Sequence, residues 1–553
     1  MGQNTKTVAE LVVACLEAEG VTCIFGIPGE ENIRLVDATS GSKVRFILVR
    51  HEQAGAFMAD IYGRLTGKAG VCTATLGPGA INLLLGVADA NTDSTPLVAI
   101  SAQVGLNRIY KESHQIVDLE SMFKPVTKWA ATMLTPAAAP EMMRKAFDTA
   151  QAERPGAVYI AIPQDVEGAE APADAAPLTS RPKHAAGPDP DQIAAAVKLL
   201  RGARKPVILV GHGAARAGVS AKLVELVDLL GIPAATTFMG KGAISDRNPN
   251  ALGVVGFMRH DYENFAFDSA DLILSIGYEL QEFAPVRINP HKDKKIIHIH
   301  RFAEDTDACY PISVSVEADI GLSIEALIAE FRRTPLKASH TDAPIRKLRD
   351  AELSSHETDA SFPLKPQRLV CDIRKALGDE DIVLVDTGAI KMWMARLYPT
   401  YAPLSCLISN GLSTMAFSLP GAIGAKLAKP GRKVLAAMGD SSFMMNSQEI
   451  ETAVRENIPL KVLIWQDNAL GLIKWKMDLE LGHHSQVDFG NPDFVKYAES
   501  FGARGYRIRA ADELLPTLQK ALAEAGVSVI CCPVDYSENI KLTDKLGELT
   551  DPL

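Results

Sequence analysis

Aromatic residues and cysteines are scarce in this chain of 553 residues. Phe, Trp and Tyr together make up 6% of it, and its eight cysteines include no Cys-x-x-Cys pair. A disulfide framework or a thiolate zinc site needs closely and regularly spaced cysteines, so neither is indicated. We expect buried, reduced thiols at Cys15, Cys23, Cys72, Cys309, Cys371, Cys406, Cys531 and Cys532.

Excess basic charge and long apolar runs are also missing. Lys and Arg number 57 against 67 Asp and Glu, and a net charge of −10 offers no basic surface for nucleic acid. No apolar run approaches the roughly 20 residues that cross a membrane. The first twenty residues predict an amphipathic helix from about Thr7 rather than a signal peptide. We therefore expect a cytoplasmic protein without a nucleic-acid or membrane partner.

Two glycine-rich segments fall short of the common nucleotide-binding motifs. TLGPGAINLLLG (75–86) has no Gly-Lys-Ser/Thr, as a P-loop would require. GHGAARAG (211–218) matches the dinucleotide fingerprint poorly. The sequence therefore gives little support to a P-loop enzyme or to a Rossmann oxidoreductase.

Apolar strand-like runs alternate with helical segments along three stretches of the chain. This alternation predicts α/β domains with mainly parallel sheets covered by helices. A chain of this length is too long for one core, at a prior of about 150 residues per domain. We expect three tandem domains at 1–185, 186–345 and 346–553, the outer two similar. The segments 170–190 and 334–365 are predicted to be irregular connectors.

Two aspartates follow apolar strands in the third stretch. KVLAAM (433–438) runs into Gly439-Asp440, and KVLIW (461–465) runs into Gln466-Asp467. The carboxyl ends of parallel strands meet at the sheet edge where such folds bind ligands. Mg²⁺ prefers one or two protein carboxylates together with water and ligand phosphates. The pair is equally compatible with a metal–diphosphate clamp and with a helix N-cap followed by a turn residue.

Glu52 stands where the strand VRFILVR (44–50) gives way to a helix with an apolar face. A partly buried carboxylate there suits proton transfer. A first-turn glutamate favoured by the helix dipole is the alternative, and the position taken alone favours it.

Together these segments resemble the thiamine-diphosphate-dependent enzymes of the acetolactate synthase group, over nearly the whole chain. FGIPG (25–29) with RHEQAGAFMADIYGRLTGKAGV (50–71) resembles the pyrimidine-binding domain and its glutamate. SNGLSTMAFSLPGAIGA (409–425) resembles the segment that holds the aminopyrimidine, and the aspartate pair resembles the diphosphate–Mg motif. The resemblance implies the thiamine-diphosphate-binding fold, with thiamine diphosphate and Mg²⁺ as cofactors.

The resemblance also implies roles for individual residues. Glu52 would be catalytic, hydrogen-bonding N1′ of the pyrimidine so that the thiazolium C2 becomes a nucleophile. Met415 would support the bent cofactor from below, although a plain core methionine is the alternative. The carbonyl oxygen of Ser413 would accept from the pyrimidine amine. The remaining implied cofactor contacts are Thr75, Gly388, Ala389, Ile390, Gly439, Asp440, Ser441, Ser442, Asp467 and Ala469.

The metal motif departs from the usual GDG and NN pattern of this family. Ser441 replaces the second Gly, and Gln466-Asp467 replaces the paired Asn. Aligning QDNALGL (466–472) with the family run puts Asp467, rather than Asn468, at the ligand position. The implied Mg²⁺ ligands are Asp440, Asp467 and the carbonyl oxygen of Ala469. Aspartate at that place resembles the FAD-independent, catabolic acetolactate synthases.

The stretch KESHQIVDLESMFKPVTKW (111–129) resembles acetolactate synthases in its substrate region. We expect Gln115 to contact the substrate, while His114 is equally compatible with a solvent-facing loop. The implied enzyme decarboxylates pyruvate and condenses the bound hydroxyethyl unit with a second 2-keto acid to give 2-acetolactate. The alternatives are another carboligase or a 2-keto-acid or acyl-CoA decarboxylase using the same cofactor, or a non-catalytic regulatory subunit that binds it.

The expectations about FAD and about the oligomeric state rest on the resemblance alone. Biosynthetic members carry a non-redox FAD on the middle domain. SIGYELQEFAP (275–285) is similar to FAD-independent members, whereas IPAATTFMGKGAISD (232–246) is similar to biosynthetic ones. We do not expect FAD to bind. Family sites lie between two subunits, which implies a homodimer or homotetramer.

Overall fold

The computed structural model describes residues 6–180, 184–256, 260–336 and 343–542. The chain divides into two compact units. The first unit consists of Met1–Lys183, Ala416–Gly431 and Met445–Leu460, and the second of His184–Met415, Arg432–Met444 and Lys461–Leu553. Within the described ranges there are three sheets, each of six parallel strands. None of the helices in these ranges is long and apolar enough to span a membrane.

The first sheet belongs to the first unit. Its strands are β1 (Cys23–Gly26), β2 (Arg45–Leu48), β3 (Gly70–Ala74), β4 (Leu97–Gln103), β5 (Trp129–Thr132) and β6 (Ala157–Pro163). They lie in the order β2-β1-β3-β4-β6-β5. The four central strands are buried along their whole length, which is why their sequences read as continuous apolar runs.

Helices cover this sheet. They are α1 (Val8–Ala18), α2 (Ile33–Ser40), α3 (Glu52–Thr66), α4 (Pro78–Thr92), α5 (Leu119–Phe123), α6 (Ala139–Gln151) and α7 (Gln164–Glu167). Thr7 caps α1 in a capping box with Glu10, as the predicted amphipathic helix requires.

The second and third sheets belong to the second unit. The second consists of β7 (Pro206–Val210), β8 (Ala234–Thr236), β9 (Ala251–Val254), β10 (Leu272–Ile276), β11 (Lys295–His300) and β12 (Ile312–Glu317). The third consists of β13 (Ile382–Val385), β14 (Cys406–Ile408), β15 (Val434–Gly439), β16 (Lys461–Gln466), β17 (Arg504–Arg507) and β18 (Ser528–Pro533). Their orders are β12-β11-β10-β7-β8-β9 and β14-β13-β15-β16-β18-β17.

The remaining helices follow these strands in sequence. Around the second sheet they are α8 (Pro190–Gly202), α9 (His212–Arg216), α10 (Ser220–Leu230), α11 (Asn264–Ser269), α12 (Ile320–Arg333) and α13 (Ala343–Ser355). Later in the chain they are α14 (Pro366–Ala376), α15 (Ala389–Leu397), α16 (Ser418–Ala428), α17 (Asp440–Asn446), α18 (Glu449–Arg455), α19 (Gly471–Leu481), α20 (Phe494–Ser500) and α21 (Leu514–Ala523). By their residues α16 and α18 belong to the first unit.

The predicted fold class is confirmed. The first and third sheets have the same strand order, counted from the first strand of each as 2-1-3-4-6-5, so the outer two domains are alike. The boundaries at 185/186 and 345/346 stay a prediction. All eight cysteines are free, and all except Cys309 are buried, as expected.

Four strands are missing from the sequence-based prediction, and one expectation about local structure is wrong. The sequence does not predict β5, β9, β12 or β17, and each lies at an edge of its sheet. The stretch 334–365 is not irregular throughout, because α13 lies within it. Arg349 of α13 is buried and pairs with Asp246, so that helix is anchored by charge.

Candidate active site

A cavity of about 120 Å³ lies at the carboxyl ends of the third sheet. It is situated where the strand order reverses between β13 and β15, the usual ligand position in open α/β sheets. Ten predicted cofactor residues line it: Gly388, Ala389, Ile390, Met415, Gly439, Asp440, Ser441, Ser442, Asp467 and Ala469. The structure therefore brings these residues together around one space.

Three helices begin at this cavity. Its lining includes the first residues of α15, of α17 and of α19. Unpaired backbone N–H groups and the helix dipole favour anions at such ends. Gly388, the residue before α15, has φ +135°, a backbone conformation that residues other than glycine rarely adopt. The sequence analysis predicts cofactor contacts at the first residues of α15 and α17, whereas the contribution of α19 is not predicted.

Asp440 is held rigidly at the cavity wall. It is buried, and its Oδ1 accepts from the Ser441 amide at 2.8 Å. Its Oδ2 accepts from the Asn468 amide and from Asn491 Nδ2, both at 2.8 Å. Burial raises the pKa of Asp440. One oxygen is thus held by the next residue of α17, and the other by residues of two different loops.

Asp467 provides the second carboxylate. Burial, and then the neighbouring Asp440 carboxylate, raise its pKa to about 7. Two acidic groups that disfavour each other's ionisation form a donor set that a divalent cation would complement. In the described ranges no group of three or more His, Cys, Asp or Glu side chains could hold a metal ion. Two carboxylates, a backbone carbonyl and cofactor phosphates fit Mg²⁺ without such a cluster.

Asn491 is a site residue that the sequence analysis missed. Its amide donates to Asp440 and also to Asn468 Oδ1, at 2.8 Å each. Gln466 Nε2 donates to the same Asn468 oxygen at 2.8 Å. The Asn468 side chain is therefore engaged in this network, whereas Asp467 lines the cavity. Tyr536 and Thr387 also line it without having been predicted.

The segment before α16 contributes Met415 to the cavity lining, where it is half-buried. Ser413 is not among the lining residues, and its φ is +53°. Buried Lys391 donates to the Ser409 carbonyl oxygen and to Ser413 Oγ, both at 2.8 Å. These bonds hold the segment in its irregular conformation.

Glu52 is buried at the start of α3 in the first unit. Asn82 Nδ2 donates to its Oε2 at 3.0 Å. A Cβ at Gly79 would lie 3.2 Å from Glu52 Oε1 and 2.9 Å from Thr75 Cγ2. Glycine at position 79 therefore keeps open the space between the predicted residues Glu52 and Thr75. Asn82 was not predicted.

The predicted residues Thr75 and Gln115 lie on loops near Glu52. Thr75 Oγ1 donates to Glu31 Oε2 at 2.7 Å. Gln115 is exposed, with φ +57°. A Cβ at Gly77 would lie 2.7 Å from the Gln115 carbonyl oxygen, so the Gln115 loop rests on the turn before α4. His114 is also exposed.

The second sheet has the strand order of dinucleotide-binding folds, with its reversal between β7 and β10. The Glu282 carboxyl lies at this point and accepts from the amides of His212 at 3.0 Å and Glu279 at 3.0 Å. Burial, and then the charge of Glu279, raise the pKa of Glu282 to about 8. Burial alone would raise the pKa of Glu279. The Arg216 guanidinium, whose Nη1 lies 2.7 Å from Glu279 Oε1, outweighs burial and holds that pKa well below its usual range. These groups do not fit the phosphates of FAD, because the amides are already bound and a charged carboxylate lies beside them.

Comparison with known proteins agrees with this geometry. Models of the thiamine pyrophosphate enzyme family match the N-terminal cofactor-binding domain at residues 6–122, the central domain at 193–327 and the C-terminal cofactor-binding domain at 386–532. The chain belongs to this family of thiamine diphosphate (thiamine pyrophosphate) enzymes.

Relatives identify the group within the family. An acetolactate synthase of Bacillus subtilis (strain 168) is 36% identical over 98% of this chain and 96% of its own length. A probable acetolactate synthase large subunit of Methanococcus aeolicus is 36% identical over 98% and 94%. A catabolic acetolactate synthase of Raoultella terrigena is 34% identical over 97% of each chain. The chain is thus an enzyme of the acetolactate synthase type.

Proposed function

We propose that this enzyme decarboxylates pyruvate and joins the remaining two-carbon unit to a second 2-keto acid, giving 2-acetolactate. The second substrate is pyruvate by default, with 2-oxobutyrate as the alternative. The observation that carries the proposal is the cavity where three helix N-termini and two aspartates meet. In the first unit, Glu52 is a buried carboxylate of the kind that proton transfer needs.

When bound, thiamine diphosphate supplies the electron sink for decarboxylation. We propose that the backbone of 388–390 and 439–442 holds its diphosphate, with Asp440, Asp467 and the Ala469 carbonyl oxygen as Mg²⁺ ligands. Their support is the anion-favouring edge and the paired carboxylates described above. Met415 would support the cofactor from below.

Glu52 would hold the proton at N1′ of the pyrimidine, and the Ser413 carbonyl oxygen would accept from the pyrimidine amine. Asn82 fixes the Glu52 carboxylate through its bond to Oε2. Thr75 lies beside Glu52, and Gln115, on the adjoining loop, is proposed to contact the substrate. A site that excludes water would delay protonation of the two-carbon unit to acetaldehyde.

We further propose an FAD-independent enzyme, a homodimer or homotetramer, that acts in the cytoplasm. Independence from FAD is supported by the second sheet, where Glu282 already binds the amides of His212 and Glu279. The oligomer rests on the family resemblance, in which each site takes residues from two subunits.

A Glu52→Gln variant tests the function. Loss of a positioned acid–base group costs about 10²–10⁴-fold in rate. We expect acetolactate formation from pyruvate to fall by that factor while thiamine diphosphate and Mg²⁺ still bind. Exposed Glu30 offers the matched control, and Glu30→Gln should keep full activity.

Product analysis with pyruvate as the sole substrate separates the alternatives. Acetolactate is the expected product. Acetaldehyde without acetolactate would identify a simple decarboxylase, and complete inertness towards pyruvate would point to another donor or to a non-catalytic subunit. Unchanged turnover by Glu52→Gln would refute the assigned role of this residue.

A further inference from the structure

Helix α18 packs on the junction between β2 and α3, the segment that presents Glu52. The Arg455 guanidinium donates to the Leu48 carbonyl oxygen at the end of β2. Glu456 pairs with Arg45 at the start of the same strand. Helix α18 and the residue after it thus contact both ends of β2, and the first residue of the helix, Glu449, reaches the turn beyond.

Glu449 is fully buried against that turn. Its Oε1 and Oε2 lie 3.1 and 3.3 Å from the Arg50 amide nitrogen, and the His51 amide also donates to it. Thr452 Oγ1 donates to Oε2 at 2.7 Å. The described partners of this carboxyl are backbone amides and a hydroxyl, with no cation among them. Burial raises its pKa to about 7.

The bonds of Glu449 end immediately before Glu52. Arg50 and His51 form the turn, and the His51 ring caps α3 by accepting from the Gln53 amide at 3.2 Å. Glu52 is the first residue of the helix, so the direction of its side chain depends on how this turn is held. A displacement of about 1 Å at a reacting group can cost 100-fold in rate.

We infer that Glu449 is a positioning residue for Glu52, fixing the turn from which the proton-transferring carboxylate projects. This inference rests on the proposed function only in taking Glu52 as that group. The alternative is that Glu449 only stabilises the fold. It would then be one of several buried carboxyls that accept hydrogen bonds from backbone amides.

Glu167 supplies the matched control for that difference. It is buried in the same unit, accepts from the Leu35 amide and has its pKa raised to about 7 by burial. Like Glu449 it accepts from a backbone amide, but at a helix other than α3 and with the charge of Arg34 nearby. Replacing either residue by Gln keeps its size and removes one acceptor oxygen.

The experiment compares Glu449→Gln with Glu167→Gln in the full-length enzyme loaded with thiamine diphosphate and Mg²⁺. Hydrogen–deuterium exchange at C2 of the bound cofactor, measured by NMR after acid quench, reports activation without pyruvate. For Glu449→Gln we expect exchange and kcat to fall together by about 10–100-fold, with KM for pyruvate within twofold. Glu167→Gln should lower the melting temperature by a similar amount and leave exchange at the wild-type rate.

Wild-type exchange in Glu449→Gln, or equal losses in both variants, would overturn the inference. Should Glu449→Gln fail to fold, the milder Thr452→Val removes only the hydroxyl bond to Glu449. It should slow exchange by about threefold, because the turn before Glu52 would move less than in Glu449→Gln. Unaltered exchange would again refute the inference. Failure of the proposed function is distinguishable, because Glu52→Gln would then exchange C2 at the wild-type rate.

Discussion

The two aspartates at the edge of the third sheet are held differently. Asp440 is bound at one oxygen by the next residue of α17 and at the other by residues of two loops, whereas Asp467 accepts a backbone bond from Ala469 within its own turn. We propose both carboxylates as ligands of Mg²⁺, which prefers one or two protein carboxylates. The Asp in place of the usual Asn would then add negative charge beside the metal.

Mg²⁺ binding should depend on pH through this second carboxylate. Burial and the Asp440 carboxylate raise the pKa of Asp467 to about 7, and only a deprotonated carboxylate binds a metal ion well. Protonation as pH falls therefore competes with the metal. From pH 7 to pH 6 we expect the apparent affinity, measured by titration calorimetry with saturating thiamine diphosphate, to weaken about fivefold, as the deprotonated fraction of Asp467 falls.

An Asp467→Asn variant isolates this residue from the titration of the cofactor phosphates. Its affinity should change less between pH 7 and pH 6 than that of the wild type. Asp478→Asn changes an exposed aspartate on α19 and should keep the wild-type slope. Identical slopes for wild type and Asp467→Asn would contradict the assigned ligand.

Among single residues of the site, the sequence predicts the acidic side chains better than the asparagine side chains that bind them. Glu52, Asp440 and Asp467 follow strands in a pattern that can be read from the chain. Asn82 and Asn491 are brought to them only by tertiary structure, 30 and 51 residues away in sequence. An amide carries no spacing signal of its own, so neither residue could be predicted from the sequence.

Among the secondary structure elements, the start of α4 sets the space around Glu52. Adding a Cβ at Gly79 would press on Glu52 Oε1 and Thr75 Cγ2. We expect Gly79→Ala to lower kcat about tenfold, since the carboxylate must move by a few tenths of an ångström. Turnover and circular dichroism measured together would separate this effect from unfolding.

Gly202→Ala is the control for that substitution. Gly202 ends α8, and a Cβ there meets nothing within 4 Å. It should leave turnover unchanged. Full activity in Gly79→Ala would show that Glu52 does not need the space that this glycine keeps open.

Prediction from sequence found the central strands but missed four of the six edge strands. Central strands such as β4 and β6 are buried throughout and give long apolar runs. The edge strand β17 (RGYR) has no fully buried residue, and β12 has one. Helix α13 was missed for a related reason, because a buried arginine anchors it and its apolar residues are few.

In the molecule as a whole, the point where the strand order of the second sheet reverses predicts independence from FAD. Purified enzyme should show no flavin absorbance, and added FAD should leave acetolactate formation unchanged. The physical reason is that Glu282 already occupies the amides of His212 and Glu279. Stoichiometric bound flavin, or activation by FAD, would contradict this prediction.

The identical strand order of the first and third sheets has a consequence for the history of this chain. Six strands with the same two reversals in each sheet are what duplication of a single ancestral domain would leave behind. In one copy the edge of the sheet acquired paired aspartates, and in the other it acquired a buried glutamate. Divergence of two copies of one architecture would thus account for the different acidic groups that follow the strands of the two sheets.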